Sequence, residues 1–559
     1  MTSTLPFDIS QSPGPGLTVL EASAGTGKTY SITGLALLGF ARGEFSPREV
    51  CVVTFTDAAT AELAGRLRAR IVQGIEALTA PPEDWVHITD TVDILLIEPD
   101  SDDEKGRRSR LEHLRRALTE FDAMTVSTIH GFCHRLLTSV GVATAEISSD
   151  SDDIGEVVHD VILAGQHTVT KPSRVIDAVK TRLTLPDARM ATFPDAPDEV
   201  QSEINHLIEI IEASVAEVVR RRRRWRRGTF DSMLVDTRDL LCDEVRGPSI
   251  IAELRSRFRL VLVDEFQDTD TVQWKIFRTA FIEQYTGIPA VPLVVVGDPK
   301  QSIYRFRGAE LSAYLDAVEY ADQHGGRRFH LDTNYRSDAD MLIALEHVFG
   351  QATFGDDRVG FEPVLAGKEM SSYGLSGEQP PMQIRSIEPP LDANGSVDAG
   401  TARNWVLADV VAEVVRLLGE SRITRQHDAS AEALRPSDIG IVVKSNSDAE
   451  LYASALRAAG IPAVTSGTDS VLDSPAALHW RLLLQSLLRP SDLRAARTVA
   501  MGVFGDVDVS QVDDVESEDE AALLSRQQQR VRALAVGGVA HLLAALRQDG
   551  YQQRALARV

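Results

Sequence analysis

Cysteine, long apolar runs and an excess of positive charge are scarce or missing in this sequence of 559 residues. Its three cysteines, Cys51, Cys133 and Cys242, lie far apart and match no metal-binding spacing, so we expect ordinary buried thiols in a reducing compartment. No apolar run could span a bilayer, and residues 1–6 lack the charged and apolar regions of a signal peptide. These absences predict a protein with no membrane partner, and the cytoplasm is the expected location.

The formal net charge of −24 argues mildly against a protein that merely coats nucleic acid. It does not exclude a protein that holds nucleic acid in a narrow groove, because the field that matters there is local. Much of the acidity lies in short runs, which we interpret as solvated surface loops, at 102–104, 149–153 and 506–520. The length predicts about three or four domains.

Apolar segments alternate with helical ones near the N-terminus. A short strand is predicted at 17–20, a helix at 30–40 and a second strand at 50–55. Continuous apolar runs at 260–263 and 293–296 are typical of central parallel strands buried on both faces. The predicted fold class is therefore α/β, with a parallel sheet covered by helices.

The rest of the chain predicts an insertion and a second α/β region. In that second region, Ile439–Val443 is the clearest predicted strand and 449–459 the helix that follows it. The domains expected from these patterns are a first α/β domain in two parts (1–130 and 251–330), a helical insertion (131–250), a second α/β domain (331–473) and the start of another helical insertion (474–559).

A glycine-rich turn between the first strand and the first helix has the residues of a phosphate-binding loop. Gly25 and Gly27 allow backbone N–H groups to approach phosphate oxygens. Lys28 supplies a positive charge, and Thr29 offers a hydroxyl to Mg²⁺. The predicted nucleotide-binding residues of this turn are Ala22, Ser23, Ala24, Gly25, Thr26, Gly27, Lys28 and Thr29.

Two carboxylates, Asp264 and Glu265, follow the apolar strand 260–263. At the carboxyl end of a parallel strand, such a pair suits a Mg²⁺ and water site, with Asp264 holding the metal and Glu265 deprotonating the attacking water. A helix N-cap explains two acids equally well, and only the phosphate loop favours the metal site.

A third strand ends in the segment 296–309, which carries Gln301 and an aromatic residue, Phe306. We expect Gln301 to lie within reach of a γ-phosphate. Phe306, with its neighbouring arginines, suits base stacking on a single strand, although a buried core position explains that residue equally well.

Taken together, six ordered blocks resemble the motifs of superfamily 1 helicases of the UvrD/Rep kind. The residues of these motifs are most similar to those of the RecB-like branch, the beta subunit of exodeoxyribonuclease V. The AddA-like branch is the second most similar. The blocks are Glu21–Thr29, Thr54–Ala59, Thr125–Cys133, Val263–Asp270, Val296–Ala309 and Leu331–Ser337.

This resemblance implies an ATP-dependent 3′–5′ DNA helicase subunit that acts in double-strand-break repair, with ATP and Mg²⁺ as cofactors. It implies single-stranded and duplex-end DNA, and RecC- and RecD-like subunits, as partners. It also implies site residues: Thr56, Thr128 and His130 on the phosphates of the translocated strand, Phe306 stacked on a base, Gln301 coupling nucleotide to DNA, Tyr335 on adenine, and Arg336 as an arginine finger.

One basic patch, residues 220–227, lies in the expected helical insertion. Its seven arginines and one tryptophan could contact DNA phosphates, meet an acidic partner or remain solvated. The resemblance favours DNA contact.

Motifs V and VI of the family, and the nuclease of RecB-like proteins, have no counterpart before Val559. We therefore expect the N-terminal half of a RecB-like protein, which binds ATP, hydrolyses it poorly and does not unwind DNA alone. An AddA-like or stand-alone UvrD-like helicase, and a non-catalytic ATP- and DNA-binding remnant, are the alternatives, and a small-molecule P-loop kinase is a distant third.

Overall fold

A computed structural model of the chain describes residues 5–97, 104–141, 146–147, 152–165, 167, 169, 171–186, 197–225, 227–303, 310–367, 374–376, 380–388, 397–425, 428–465, 472, 475–505 and 517–549. The strands are β1 (Leu5–Pro6), β2 (Gly16–Ala22), β3 (Val50–Thr54), β4 (Thr125–Thr128), β5 (Glu146–Ile147), β6 (Arg227–Gly228), β7 (Leu260–Val263), β8 (Pro292–Gly297), β9 (Arg327–Leu331), β10 (Thr333–Asn334), β11 (Leu365–Ala366), β12 (Gly374–Ser376), β13 (Arg422–Arg425) and β14 (Asp428–Ala433).

The α-helices are α1 (Lys28–Arg42), α2 (Asp57–Thr79), α3 (Thr91–Ile97), α4 (Glu104–Thr119), α5 (Ile129–Ser139), α6 (Asp152–Ala164), α7 (Pro172–Thr184), α8 (Asp198–Trp225), α9 (Phe230–Cys242), α10 (Gly247–Arg257), α11 (Thr271–Phe277), α12 (Leu311–Gln323), α13 (Ala339–Phe349), α14 (Ala399–Glu420), α15 (Asn446–Ala458), α16 (Pro475–Leu487), α17 (Leu493–Ala500) and α18 (Ser517–Gln548).

The centre of the first unit is a seven-stranded sheet in the order β1-β9-β2-β8-β7-β3-β4. Every neighbouring pair is parallel. Strands β3 and β7 are buried along their whole length, because helices cover both faces. Burial on both faces requires apolar side chains at successive positions, which explains the continuous valine- and leucine-rich runs. The predicted α/β class with a parallel sheet is confirmed.

Helices α1, α2 and α4 pack on one face of the sheet, and α5, α9, α10, α11 and α12 pack on the other. Helices α6, α7 and α8 instead form a small core of their own, which includes Val158, Val179 and Ile210. Helices α5 and α9 contribute Phe132 and Leu234 to the core beside the sheet. The domain boundaries expected from the sequence stay a prediction.

An unusual turn follows α11, where the chain continues as a π-helix over Arg278–Ile282. Arg255 of α10 is buried, and its guanidinium donates hydrogen bonds of 2.8 to 3.2 Å to backbone carbonyls around this turn. The four acceptors belong to Thr279, Ala280, Glu283 and Ile288. One arginine therefore supplies donors to carbonyl groups at the end of the helix and in the segment after it.

The chain divides into two compact units, one of residues 1–385 with 423–431 and one of 386–422 with 432–559. In the second unit, α16, α17 and α18 enclose a core that includes Leu483, Phe504 and Leu542.

The strand predicted at Ile439–Val443 is wrong, because the described backbone there forms no sheet pairing. Ile439 and Ile441 pack against the core between α14 and α15, whereas Val442 is 98% exposed.

Two of the three predicted buried thiols are confirmed. Cys51 and Cys133 are buried, and burial raises the pKa of each thiol to about 12. Cys242 is exposed at the end of α9, where it is the last residue of the helix. The prediction of a buried thiol is therefore wrong for Cys242. Within the described ranges, we find no helix with the length and apolar character needed to cross a bilayer.

Candidate nucleotide-binding site

The loop between β2 and α1 turns through two glycines with positive φ, Gly25 at 80° and Gly27 at 95°. Thr26 closes the turn, since its N–H and its hydroxyl both donate to the carbonyl of Ser23, at 3.3 and 2.8 Å. Gly27 is the N-cap of α1, which begins at Lys28. The first N–H groups of a helix have no partner within the helix, and the helix dipole favours an anion there. The loop thus has the geometry of a phosphate cradle.

The carboxylate of Glu265 lies at the loop. Its Oε2 accepts hydrogen bonds from Lys28 Nζ at 2.9 Å and from Gln267 Nε2 at 2.7 Å. The Lys28 side chain is 13% exposed and that of Glu265 39%, so water reaches the carboxylate. Glu265 also has a φ of 49°, the only positive φ of a non-glycine residue in the described part of the chain. Such strain persists where the surroundings impose it and is frequent at functional sites.

Asp264 lies one residue earlier, at the carboxyl end of β7. Its backbone N–H donates to the carbonyl of Val53 on β3, and its Oδ1 accepts the N–H of Glu265 at 2.9 Å. Burial, and then the charge of Glu265, raise the pKa of Asp264 to about 6. A bound cation would offset both effects, and the Glu265 side chain makes no cap hydrogen bond to the turn that follows it.

A second buried acid, Asp298, connects β8 to the loop that follows it. Its carboxylate accepts from Gln301 Nε2 at 2.8 Å and pairs with Lys300 Nζ at 2.9 Å. The N–H of Asp298 donates to Gln267 Oε1 at 3.0 Å. The structure therefore brings Gln301 and Glu265 into one network through two residues, Gln267 and Asp298, that sequence reasoning had not selected.

Asn334 is a third site residue that sequence reasoning missed, although it directly precedes Tyr335. It is 4% exposed, and its Nδ2 donates to the carbonyl of Ala24 at 2.7 Å. Its Oδ1 accepts the N–H groups of Arg336 and Ser337, both at 2.8 Å. The only available signal was a polar side chain at the end of a strand within a motif.

The backbone of Tyr335 and Arg336 lies against the phosphate loop. The N–H of Tyr335 donates to the carbonyl of Gly25 at 2.8 Å. A Cβ atom on Gly25 would lie 2.7 Å from Cβ of Arg336, so only glycine fits there. The side chains of Tyr335 and Arg336 are exposed, that of Tyr335 by 65%.

The residues expected to contact DNA follow the carboxyl ends of β3 and β4, which end side by side. The phosphate loop follows the carboxyl end of β2 in the same parallel sheet. Thr56 and Thr128 are the N-caps of α2 and α5, and their hydroxyls accept backbone N–H groups at 3.1 and 3.2 Å. The ring of His130 meets Phe230 edge-on at 5.3 Å, and burial lowers the pKa of His130. Phe306 lies outside the described residues.

Two arginines of the basic patch make ion pairs within the insertion. Arg220 bonds Glu217 through two nitrogens at 2.7 Å, and Arg221 bonds Glu217 at 2.7 Å and Asp160 at 2.6 Å. Trp225, at the end of α8, is 52% exposed. The local positive charge is smaller than the arginine count indicates.

Comparison with known proteins identifies the family. Residues 9–321 match the UvrD/REP helicase N-terminal domain. RecBCD enzyme subunit RecB of Mycobacterium tuberculosis (strain ATCC 25618 / H37Rv) is 32% identical over 503 residues, which cover 87% of this chain and 43% of the relative. The Mycolicibacterium smegmatis subunit is 32% identical over 514 residues (88% and 44%), and that of Escherichia coli (strain K12) is 27% identical over 649 residues (90% and 53%).

The chain spans about half the length of these relatives. The matched segment contains both the phosphate loop and the carboxylates after β7. This chain belongs to the UvrD/Rep helicase family.

Proposed function

We propose that the chain is the nucleotide-binding motor part of an ATP-dependent 3′–5′ DNA helicase of the RecB kind, acting with RecC- and RecD-like subunits in double-strand-break repair. The observation that carries this proposal is the Lys28–Glu265 ion pair of 2.9 Å at a glycine-built phosphate loop. A cation and a general base placed at one phosphate cradle suit hydrolysis of a nucleoside triphosphate.

In this proposal each residue has a separate task. The loop from Ala22 to Thr29 binds the phosphates, and Lys28 turns from Glu265 to a phosphate oxygen. Glu265 accepts the proton of the attacking water. Thr29 and Asp264 would hold Mg²⁺, which neutralises phosphate charge when bound. Tyr335 stacks on adenine.

Gln301 and Arg336 complete the proposed site. Gln301 connects nucleotide and DNA, since its side chain shares the Asp298–Gln267–Glu265 network. Arg336 acts as the arginine finger, and its backbone is held at the loop by Asn334.

The proposed DNA contacts are Thr56, Thr128 and His130. They follow the carboxyl ends of the neighbouring strands β3 and β4, and the phosphate loop follows the carboxyl end of β2. Phe306 is assigned to base stacking from the resemblance alone.

Lys28→Ala tests the nucleotide site. We expect the wild-type chain to bind Mg-ATP, and loss of the charged donor to weaken binding roughly 10- to 100-fold, because hydrogen bonds to charged groups contribute about 1.5–3 kcal/mol. Lys275→Ala is the matched control, since Lys275 pairs with Glu283 at 2.8 Å away from the loop. Equal Mg-ATP affinities of the Lys28 and Lys275 variants would contradict the proposal.

ATP turnover with and without single-stranded DNA separates two functions. Single-turnover hydrolysis of bound ATP that is slow but rises with single-stranded DNA identifies a motor part. Binding of both ligands with no hydrolysis even in a single turnover identifies a non-catalytic binding protein.

A further inference from the structure

Glu265 has two side-chain anchors of different kinds. Lys28 holds it from the phosphate loop at 2.9 Å, and Gln267 holds the same oxygen, Oε2, from the turn after β7 at 2.7 Å. In the proposed function, on which this inference rests, a nucleotide phosphate attracts Lys28. The Glu265 carboxylate then keeps the hydrogen bond from Gln267 as its other side-chain contact.

Gln267 is built to be a fixed anchor. It is 2% exposed, and its Oε1 accepts the N–H of Asp298 at 3.0 Å. Its backbone carbonyl accepts the hydroxyl of Ser302 at 3.1 Å. Since the N–H of Asp298 requires the amide oxygen, the amide nitrogen must face Glu265. The amide also approaches the backbone of β8 closely, because a Cβ on Gly297 would lie only 2.6 Å from Gln267 Oε1.

We propose that Gln267 is a positioning residue that keeps the Glu265 carboxylate in place when Lys28 turns to a nucleotide phosphate. Because Gln267 also bonds Asp298, whose carboxylate binds Gln301, it joins the general base to the loop that carries Gln301. Gln267 touches neither nucleotide nor water in this role. It acts through Glu265.

The proposal predicts a coupling that a purely structural residue would not produce. Without the Gln267 donor, Glu265 has Lys28 as its remaining side-chain anchor and competes more strongly with phosphate for it. In Gln267→Leu, the affinity for Mg²⁺ with the imido analogue of ATP should therefore fall roughly 3- to 10-fold, since a factor of ten corresponds to about 1.4 kcal/mol.

A double-mutant cycle on the 559-residue chain tests this coupling. In the Glu265→Gln background no carboxylate competes for Lys28, so Gln267→Leu should change the affinity by less than about twofold. Gln267→Leu also removes the acceptor for the N–H of Asp298. This loss occurs in both backgrounds, so it cancels when the two changes in affinity are compared. Gln527→Leu is the control for loss of a buried amide, since Gln527 is 2% exposed and donates to Ser486 in the second unit.

The outcomes are separable. A loss of affinity confined to the Glu265 background supports the inference. No change, a gain, or equal losses in both backgrounds would overturn it and leave the proposed function intact. Failure of the wild-type chain to bind the analogue would overturn the proposed function and this inference with it. Thermal unfolding of each variant confirms that the folded proteins are compared.

Discussion

Single side chains at the candidate site connect segments that are far apart in the chain. Glu265 bonds Lys28, and Asn334 bonds Ala24, across 237 and 310 positions of sequence. Asn334 donates through its amide nitrogen, so exchanging this amide for a carboxylate removes the donor and keeps the side-chain shape. Such exchanges therefore test individual contacts.

Asn334→Asp removes the donor to the carbonyl of Ala24 but keeps an acceptor for the N–H groups of Arg336 and Ser337. We expect Mg-ATP affinity to fall about tenfold, because the loop loses one bond and faces an unpaired oxygen, a change of about 1–3 kcal/mol. Isothermal titration gives the affinity. Asn446→Asp, at an exposed position at the start of α15, adds the same charge elsewhere and should leave it unchanged. Equal affinities of the two variants would refute a role for Asn334.

At the scale of elements, the π-helical turn after α11 depends on a neighbouring helix. A π-helix leaves backbone carbonyls in irregular positions, and Arg255 of α10 supplies donors for four carbonyls around the turn. Burial lowers the pKa of Arg255, but the guanidinium keeps its charge because its ordinary pKa is far above neutrality. The turn and α10 should therefore lose stability together.

Arg255→Met should lower the free energy of unfolding of the first unit by about 2–4 kcal/mol, since several buried carbonyls lose their donors. Arg255→Lys should recover little of it, because one ammonium cannot match the planar fork of a guanidinium. Urea unfolding followed by tryptophan fluorescence reports the change, as Trp274 lies on α11. Arg257→Met, an exposed position of the same helix, is the control. A lysine variant as stable as wild type would contradict the argument.

At the scale of the whole molecule, buried carboxyls make stability depend on pH. Burial is the main cause that raises the pKa of Asp264, Asp268 and Asp270 to about 6, against an ordinary value of 3.8. Between these pH values the folded chain keeps protons that the unfolded chain releases. The stability contributed by these groups is present below about pH 4 and is lost as the pH rises through about 6.

Asp270→Asn removes one of these ionisations and keeps an acceptor for the N–H of Gln273, so α11 retains its N-cap. The free energy of unfolding of the variant, relative to that of wild type, should rise by up to about 3 kcal/mol between pH 4 and pH 8, since one pKa unit corresponds to about 1.4 kcal/mol. Denaturant midpoints at the two pH values measure the gain. The exposed Asp84→Asn variant should show no such change. A stability difference independent of pH would contradict the prediction.

The sequence by itself determined the parallel sheet, the glycine-built loop after β2 and the position of the acids after β7. Strands buried on both faces need continuous apolar runs, and the loop needs glycine where φ is positive, so local composition reports both. Local composition failed at Ile439–Val443, where an apolar run packs through alternate side chains and leaves Val442 exposed.

Only the tertiary structure decided which polar groups meet. The order β9-β2-β8-β7-β3 places the ends of β2, β7 and β8 side by side, and so brings Lys28, Glu265 and Asp298 into one network. Gln267 and Asn334 owe their roles to donors and acceptors contributed by other strands and loops. A hydrogen bond depends on the position of both partners, whereas apolar periodicity reports only the burial of one.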